Sequence, residues 1–112
     1  MKPKSAIAKG KRLEKDFMMD VRQSGIDPNA RRNPGSGNGL AKSDVYIPRF
    51  NLHVECKNTK NFGIGAWKQA MREAVGPYAT PMALWKPPYS STEDSLCVLR
   101  WCDLKNFLKM IK

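Results

Sequence analysis

The chain has 112 residues, with 20 Lys and Arg against 10 Asp and Glu, so its net charge is +10. This length predicts one domain, and the 41% hydrophobic content is enough to form one modest core. No apolar run is long enough to span a bilayer or to make the basic N-terminus a secretory signal, and three cysteines are too few for a disulfide framework. We therefore expect an intracellular protein, acting in the host cytoplasm if it is viral, and the positive charge favours nucleic acid as its partner.

The first third of the chain predicts a helix followed by a long loop. Residues 1–9 are basic and poorly patterned, and we expect them to form a flexible arm of the single domain 1–112. From about residue 10 to 23 the spacing of apolar residues predicts a helix. Its apolar positions are Leu13, Phe17, Met18 and Val21. Residues 25–43 are rich in Gly, Asn and Pro and predict a basic loop.

The middle of the chain predicts a hairpin and a second helix. Residues 44–47 and 52–57 predict two strands, with the turn at Phe50 and Asn51. Residues 64–75 return to helical spacing. The apolar face of this helix carries Trp67, Met71, Ala74 and Val75.

The last third predicts two more strands and a third helix. The strands lie near residues 82–85 and over 96–101, and Asp103 can cap the helix. The helix has an apolar stripe formed by Leu104, Phe107, Leu108 and Ile111. Cys56 and Cys97 are expected to be small core residues. The order of elements predicts a mixed α/β fold, in which helices flank a central mixed sheet.

The strand at 52–57 carries charged side chains on one face, because alternate strand residues point to opposite sides of a sheet. That face bears His53, Glu55 and Lys57. Asp44 opens the neighbouring strand, and pairing across the hairpin can bring its carboxylate close to Glu55. Two converging carboxylates repel each other unless a cation lies between them, and oxygen ligands suit Mg²⁺ or Mn²⁺. With Lys57 beside the cation, these residues have the parts of a phosphodiester hydrolase. An equally good interpretation from spacing alone is a turn residue beside solvated charges.

Four segments in order resemble the PD-(D/E)XK nuclease superfamily, and the match is closest to archaeal-type Holliday junction resolvases and their phage relatives. The segments are Lys9-Gly10-Lys11-Arg12-Leu13-Glu14, Arg31-Arg32 with Gly35-Ser36-Gly37, Ser43-Asp44-Val45 and Val54-Glu55-Cys56-Lys57. The resemblance implies a restriction-endonuclease-like core. It also implies that the catalytic residues are Glu14, Asp44, Glu55 and Lys57. The cation would be Mg²⁺, which Mn²⁺ can replace, held by Asp44, Glu55, the backbone carbonyl of Cys56 and, through a water, Glu14.

The resemblance also places Ser36 and either Arg31 or Arg32 near the scissile phosphate. The residues that we expect to contact DNA are Lys9, Lys11, Arg12, Arg31, Arg32, Ser36, Lys42 and Lys60. Two weaker candidates remain. His53 could bind DNA or act as an auxiliary base, although a lone histidine is more often structural. Gln69 lies where the superfamily often has a polar residue, although it could equally belong to a solvated helix face.

The function predicted by the residues and the resemblance is a Mg²⁺-dependent endodeoxyribonuclease that resolves four-way junctions. A homodimer would match the symmetry of such a junction, and we expect its contacts from residues 85–89 and 104–111. Two alternatives stay open. One is a non-catalytic, basic nucleic-acid-binding protein, and the other is a nuclease of the same superfamily that acts on other DNA structures. No contact with a membrane is expected.

Overall fold

Three helices and five strands make up the computed structural model, which describes the backbone of residues 2–33 and 43–111 and, within those ranges, the side chains from residue 8 onward. The helices are α1 (Lys2–Gln23), α2 (Ile64–Glu73) and α3 (Trp101–Met110). The strands are β1 (Arg31–Arg32), β2 (Val45–Ile47), β3 (Leu52–Lys57), β4 (Thr80–Trp85) and β5 (Leu96–Val98). Short 3₁₀ helices occur at Pro48–Phe50 and Thr92–Asp94.

The five strands form one mixed sheet in the order β1-β2-β3-β4-β5. β3 and β4 are parallel, and every other neighbouring pair is antiparallel. Two parallel neighbours need a crossover connection, and α2 supplies it between β3 and β4. The predicted fold class, a mixed α/β core flanked by helices, is therefore confirmed.

The hairpin between β2 and β3 has the predicted strands and turn. Asn51 ends the 3₁₀ helix with φ of 50°, a left-handed conformation that Asn tolerates better than most residues. The register pairs Val45 with Val54. One step further along the hairpin, Asp44 therefore lies opposite Glu55, as the sequence predicts.

The hydrophobic core lies between α1 and one face of the sheet. Leu13 and Val21 of α1 are buried there, and Phe17 and Met18 pack against the same cluster. The sheet contributes Val45, Ile47, Leu52, Val54, Cys56, Met82 and Leu84. The apolar spacing along α1 and along β3 thus predicts the core correctly.

The N-terminal residues differ from the prediction of a flexible arm, because α1 begins at Lys2 rather than near residue 10. An interior glycine costs a helix about 1 kcal/mol relative to alanine, and Gly10 does not interrupt α1. The Ala and Lys residues before Gly10 are good helix formers, and they extend α1 even though their apolar spacing is weak.

Other boundaries also differ from the predictions: β5 ends at Val98 rather than at residue 101, and α2 ends at Glu73 rather than at residue 75. β1 lies inside the segment predicted as a loop, since a pair of arginines carries no strand pattern of its own. α3 begins at Trp101, and its N-cap residue is Arg100. Asp103 is therefore not the cap; it lies in the first helical turn, 2.8 Å from the Nε of Arg100.

Cys97 was predicted to be a core residue and lies on the surface, and several apolar residues of α2 and α3 are exposed as well. Cys97 is exposed because β5 is an edge strand, and Met71 is exposed while Ala70 is the buried residue of α2. In α3, Phe107 packs edge-on against Phe50, with ring centroids 5.7 Å apart. The other residues of its apolar stripe, Leu104, Leu108 and Ile111, are exposed.

Among the described residues, we find no helix that combines the length and the apolar character needed to cross a membrane.

Candidate active site

Asp44 is held in a fixed position at the end of the β2–β3 hairpin. The backbone N–H of Cys56 donates a hydrogen bond of 2.9 Å to Asp44 Oδ2. Asn33, just after β1, donates through its backbone to the carbonyl of Asp44 and through its side chain to the carbonyl of Ser43. In a strand, the N–H and C=O of one residue point to the same side, so the Cys56 carbonyl is also directed towards Asp44. The Asp44 carboxylate and the Cys56 carbonyl thus lie at the same edge of β3.

Glu55 lies beside Asp44 and is almost fully buried, with 3% of its surface exposed. The Oε2 atom of Glu55 lies 3.4 Å from Lys57 Nζ. Its other carboxyl oxygen, Oε1, is buried and accepts no hydrogen bond from any described residue. Burying a carboxyl oxygen without a hydrogen-bond donor destabilises the fold, and binding of a proton or a cation to Glu55 would remove that cost.

The charged face of β3 is covered by two polar residues of α2. Lys57 Nζ donates a hydrogen bond of 3.0 Å to Gln69 Oε1, and Gln69 Nε2 donates one of 3.2 Å to Glu73 Oε2. Gln69 is therefore placed at the predicted site, next to Lys57. Glu73 was not predicted, although its spacing of four residues from Gln69 was the signal that could have found it.

Glu14 approaches the same place from α1. Its Oε1 atom lies 3.5 Å from the Nε of Arg32, which forms an ion pair with it. Burial raises the pKa of Glu14, and the negative charge of Asp44 raises it further. The positive charge of Lys11, one helical turn away, acts in the opposite direction. Asp44, Glu55 and Lys57 thus lie together, with Glu14 near Asp44 on the α1 side. We call these four predicted residues, with Gln69 and Glu73, the acidic cluster.

The carboxyl groups of the acidic cluster repel one another, so that a proton or a cation is needed to neutralise part of their charge. Burial raises the pKa of Glu55 to about 9, and hydrogen bonding with Glu73 and the charge of Asp44 contribute. Burial also raises the pKa of Asp44, against the hydrogen bond from Cys56, which lowers it. Near neutral pH, Glu55 therefore keeps its proton unless a cation takes its place.

The acidic cluster fits a hard divalent cation. Asp44, Glu55 and the Cys56 carbonyl offer oxygen ligands, which is the donor set that Mg²⁺ prefers, and Mg²⁺ usually keeps several waters. Among the described residues, no group of three or more His, Cys, Asp and Glu side chains is placed to hold a metal ion. A site with two carboxylates, a carbonyl and waters does not require one. The unsatisfied Oε1 atom of Glu55 can take a cation in place of the proton that Glu55 otherwise keeps.

Three of the basic residues predicted to bind DNA come together in one groove. Lys9 and Arg12 of α1 line one side, Lys60 lines another, and Lys86 after β4 adds a fourth cation. The groove has a volume of about 720 Å³. We call it the basic groove. Its remaining lining residues are Leu13, Asp16, Asn58, Thr59, Pro88, Tyr89 and Thr92.

The two arginines of β1 lie in different environments. Arg31 is exposed, and its guanidinium lies over the ring of Tyr46, 5.0 Å from the centroid. Arg32 is partly buried in its ion pair with Glu14. Arg31 is thus free to meet a phosphate, whereas the charge of Arg32 is already compensated. Ser36 and Lys42 lie outside the described residues.

His53 is part of the fold rather than of the acidic cluster. It is buried, its Nδ1 atom lies 3.3 Å from Ser43 Oγ, and its Nε2 atom lies 3.1 Å from Asn51 Oδ1. Since the amide oxygen of Asn51 can only accept, Nε2 carries the proton and Nδ1 accepts from the hydroxyl. Burial lowers the pKa of His53, which favours this neutral form. Both ring nitrogens are therefore engaged, which favours the structural interpretation of His53.

Comparisons with known proteins found no relative of this chain. No protein-family model matches the chain, and neither a curated protein nor a solved structure matches it.

Proposed function

We propose that this protein is a divalent-cation-dependent endodeoxyribonuclease that cuts branched DNA. The observation that carries the proposal is the convergence of Asp44 and Glu55 beside Lys57, within a protein whose net charge is +10. A protein that only binds phosphates would gain nothing from buried carboxylates next to its basic surface, because they repel the ligand. A cation-binding site for phosphodiester hydrolysis accounts for both features.

Four residues of the acidic cluster then have distinct roles in the reaction. Asp44, Glu55 and the Cys56 carbonyl would hold Mg²⁺, which when bound polarises the phosphate and makes a water more acidic. Lys57 is anchored by Gln69 and Glu55, and it would orient the attacking water or donate to the phosphate oxygens as negative charge develops. One water adds across the P–O3′ bond, so the products are a 5′-phosphate and a 3′-hydroxyl, as the resemblance to junction resolvases implies.

The choice of a branched substrate rests on that resemblance and on the shape of the chain. A domain of 112 residues covers little of a four-way junction, and two copies related by a two-fold axis would place two sites on opposed strands. The exposed apolar residues of 104–111, together with Leu96 of the edge strand β5, suit the contact with a second copy. Residues 85–89, the other segment expected at that contact, contribute Lys86, Pro88 and Tyr89 to the basic groove instead. We expect the dimer to act inside the cell, where DNA is found.

The proposal is tested by cleavage of four DNA molecules of matched sequence in Mg²⁺. They are an immobile four-way junction, a linear duplex, a nicked duplex and a single strand. We expect paired, symmetric cuts near the branch point and much slower cleavage of the linear duplex. Asp44→Asn should lose cleavage and keep DNA binding, whereas Glu93→Gln, an exposed acid far along the chain, should behave as wild type.

Each other outcome points to a different function. Equal cleavage of all four molecules would indicate a nuclease without preference for branches. Tight binding without any cleavage, in Mg²⁺ or Mn²⁺, would favour the non-catalytic nucleic-acid-binding protein. Wild-type cleavage by Asp44→Asn would remove the acidic cluster from the reaction.

A further inference from the structure

Tyr89 is the least protected aromatic residue of the described chain, and it stands at the basic groove. Its side chain is fully exposed, and its backbone has φ of 61°, a left-handed conformation that non-glycine residues rarely adopt. Pro87 and Pro88 restrict the chain before it, and Ser90 Oγ donates a hydrogen bond of 2.6 Å to the Pro87 carbonyl. The turn thus holds an aromatic ring outward, although the ring buries nothing in the fold.

The surroundings of Tyr89 are those of a polyanion site. The basic groove carries four cations, Lys9, Arg12, Lys60 and Lys86, against one acid, Asp16. Its volume of about 720 Å³ lies in the range of sites that enclose a small ligand, which suits one or two nucleotides of a flexible strand.

The basic groove adjoins the end of β3, the strand that carries Glu55 and Lys57. Asn58 directly follows Lys57, lines the groove and lies 3.5 Å from the carbonyl of Lys9 through its amide nitrogen. Lys86, which also lines the groove, donates its backbone N–H to the carbonyl of Lys57 over 2.9 Å. A strand that lies in the groove would therefore lead to the place where hydrolysis is proposed.

We propose that the basic groove binds an unpaired DNA strand, with a base stacked on Tyr89 and its phosphates on the lysines and Arg12. Aromatic rings next to a cationic track are how proteins bind single strands without reading their sequence. The inference rests on the proposed function for the identity of the ligand. It adds the substrate class, DNA with unpaired nucleotides next to a branch, which in a four-way junction requires a base pair beside the branch to open. The bases of a closed duplex are already stacked on each other, so they cannot stack on the ring of Tyr89.

A second tyrosine offers a matched control. Tyr78 has φ of 63° and is 95% exposed, so its backbone and exposure are those of Tyr89. It precedes β4, whereas Tyr89 follows β4, so the two lie towards opposite ends of that strand. Tyr78 is not among the residues that line the basic groove.

The test measures binding rather than cleavage, by fluorescence anisotropy in EDTA, with a labelled single strand, a duplex with a single-stranded flap and a closed duplex. Tyr89→Ala should weaken binding of the single strand and the flap about tenfold or more and leave the closed duplex within about twofold. Tyr89→Phe keeps the ring and should bind as wild type, as should Tyr78→Ala. Tyr89→Gly relieves the left-handed backbone while removing the ring, so its loss of binding would not be due to misfolding.

A fluorescent base analogue at the unpaired position gives a second readout, because stacking on a ring quenches it. We expect quenching by wild type and by Tyr89→Phe, and none by Tyr89→Gly. The inference is overturned if Tyr89→Gly binds the single strand as tightly as wild type does, or if Tyr78→Ala weakens that binding as much as Tyr89→Ala does. It is also overturned if wild type does not bind unpaired DNA. Cleavage of closed duplex without single-strand binding would refute this inference alone, whereas single-strand binding without any cleavage would refute the proposed nuclease alone.

Discussion

Replacing Glu55 with Gln should make the protein more stable near neutral pH. In the folded protein the pKa of Glu55 is about 9, against an ordinary value of 4.5. Between these two values the folded state keeps a proton that the unfolded state releases, so the free energy of unfolding falls as the pH rises. The slope is about 1.4 kcal/mol per pH unit. Near pH 7 the loss amounts to about 3 kcal/mol, and Glu55→Gln, which cannot ionise, avoids it.

The assay is urea denaturation of wild type and Glu55→Gln at several pH values between about 4.5 and 8.5, without divalent cations. We expect the two proteins to have equal free energies of unfolding at the acid end of this range. Above it, the free energy of unfolding of the variant should exceed that of wild type by an amount that grows with pH. Mg²⁺ should then stabilise the wild type and not the variant, because the cation replaces the proton on Glu55. Glu93→Gln, which removes an exposed carboxylate, should change the free energy of unfolding by less than about 0.5 kcal/mol. The reasoning fails if Glu55→Gln is destabilised, or if its difference from wild type does not depend on pH.

Three further substitutions separate the roles of neighbouring residues. Gln69→Leu removes the anchor of Lys57 and should slow single-turnover cleavage by up to about 100-fold without weakening DNA binding; an unchanged rate would remove Gln69 from the site. Arg31→Ala should lower the log–log salt slope of DNA binding by about one, and Arg32→Ala by less, because Glu14 already compensates its charge; equal slopes would contradict the pairing. His53→Ala should lower the free energy of unfolding by about 1–3 kcal/mol, since it leaves buried partners unsatisfied, while the folded variant still cleaves; a loss of cleavage would assign His53 to the reaction.

The parts of the site that lie on the hairpin could be predicted because they depend on local rules. Alternation along β3 puts Glu55 and Lys57 on one face, and hairpin pairing puts Asp44 opposite Glu55. Glu73 depends instead on which face of α2 meets the sheet. Of the apolar residues predicted to share one face of α2, Met71 is exposed, because the covered side of β3 is itself charged and is contacted by Gln69 and Glu73.

The surface elements were harder to predict for a similar reason. The apolar stripe of α3 satisfies the periodicity of a buried helix, but periodicity does not say whether a chain has another layer to cover it. Leu108 is 50% exposed, so half of that side chain remains available to a second copy. The extension of α1 to Lys2 depends on helix propensity rather than on apolar spacing, which the first residues lack. The position of Tyr89 follows from a strained turn that no periodic pattern reveals.

The central claim is that Asp44 and Glu55 bind one divalent cation, and anomalous diffraction from crystals grown with Mn²⁺ tests it most directly. The account predicts one strong anomalous peak within coordination distance, about 2.1–2.3 Å, of carboxylate oxygens of Asp44 and Glu55 and of the Cys56 carbonyl. The peak should be absent from crystals of Glu55→Gln grown in the same way. A Mn²⁺ ion bound elsewhere, or an acidic cluster that stays without a peak while the same protein cleaves DNA in Mn²⁺, would contradict the account.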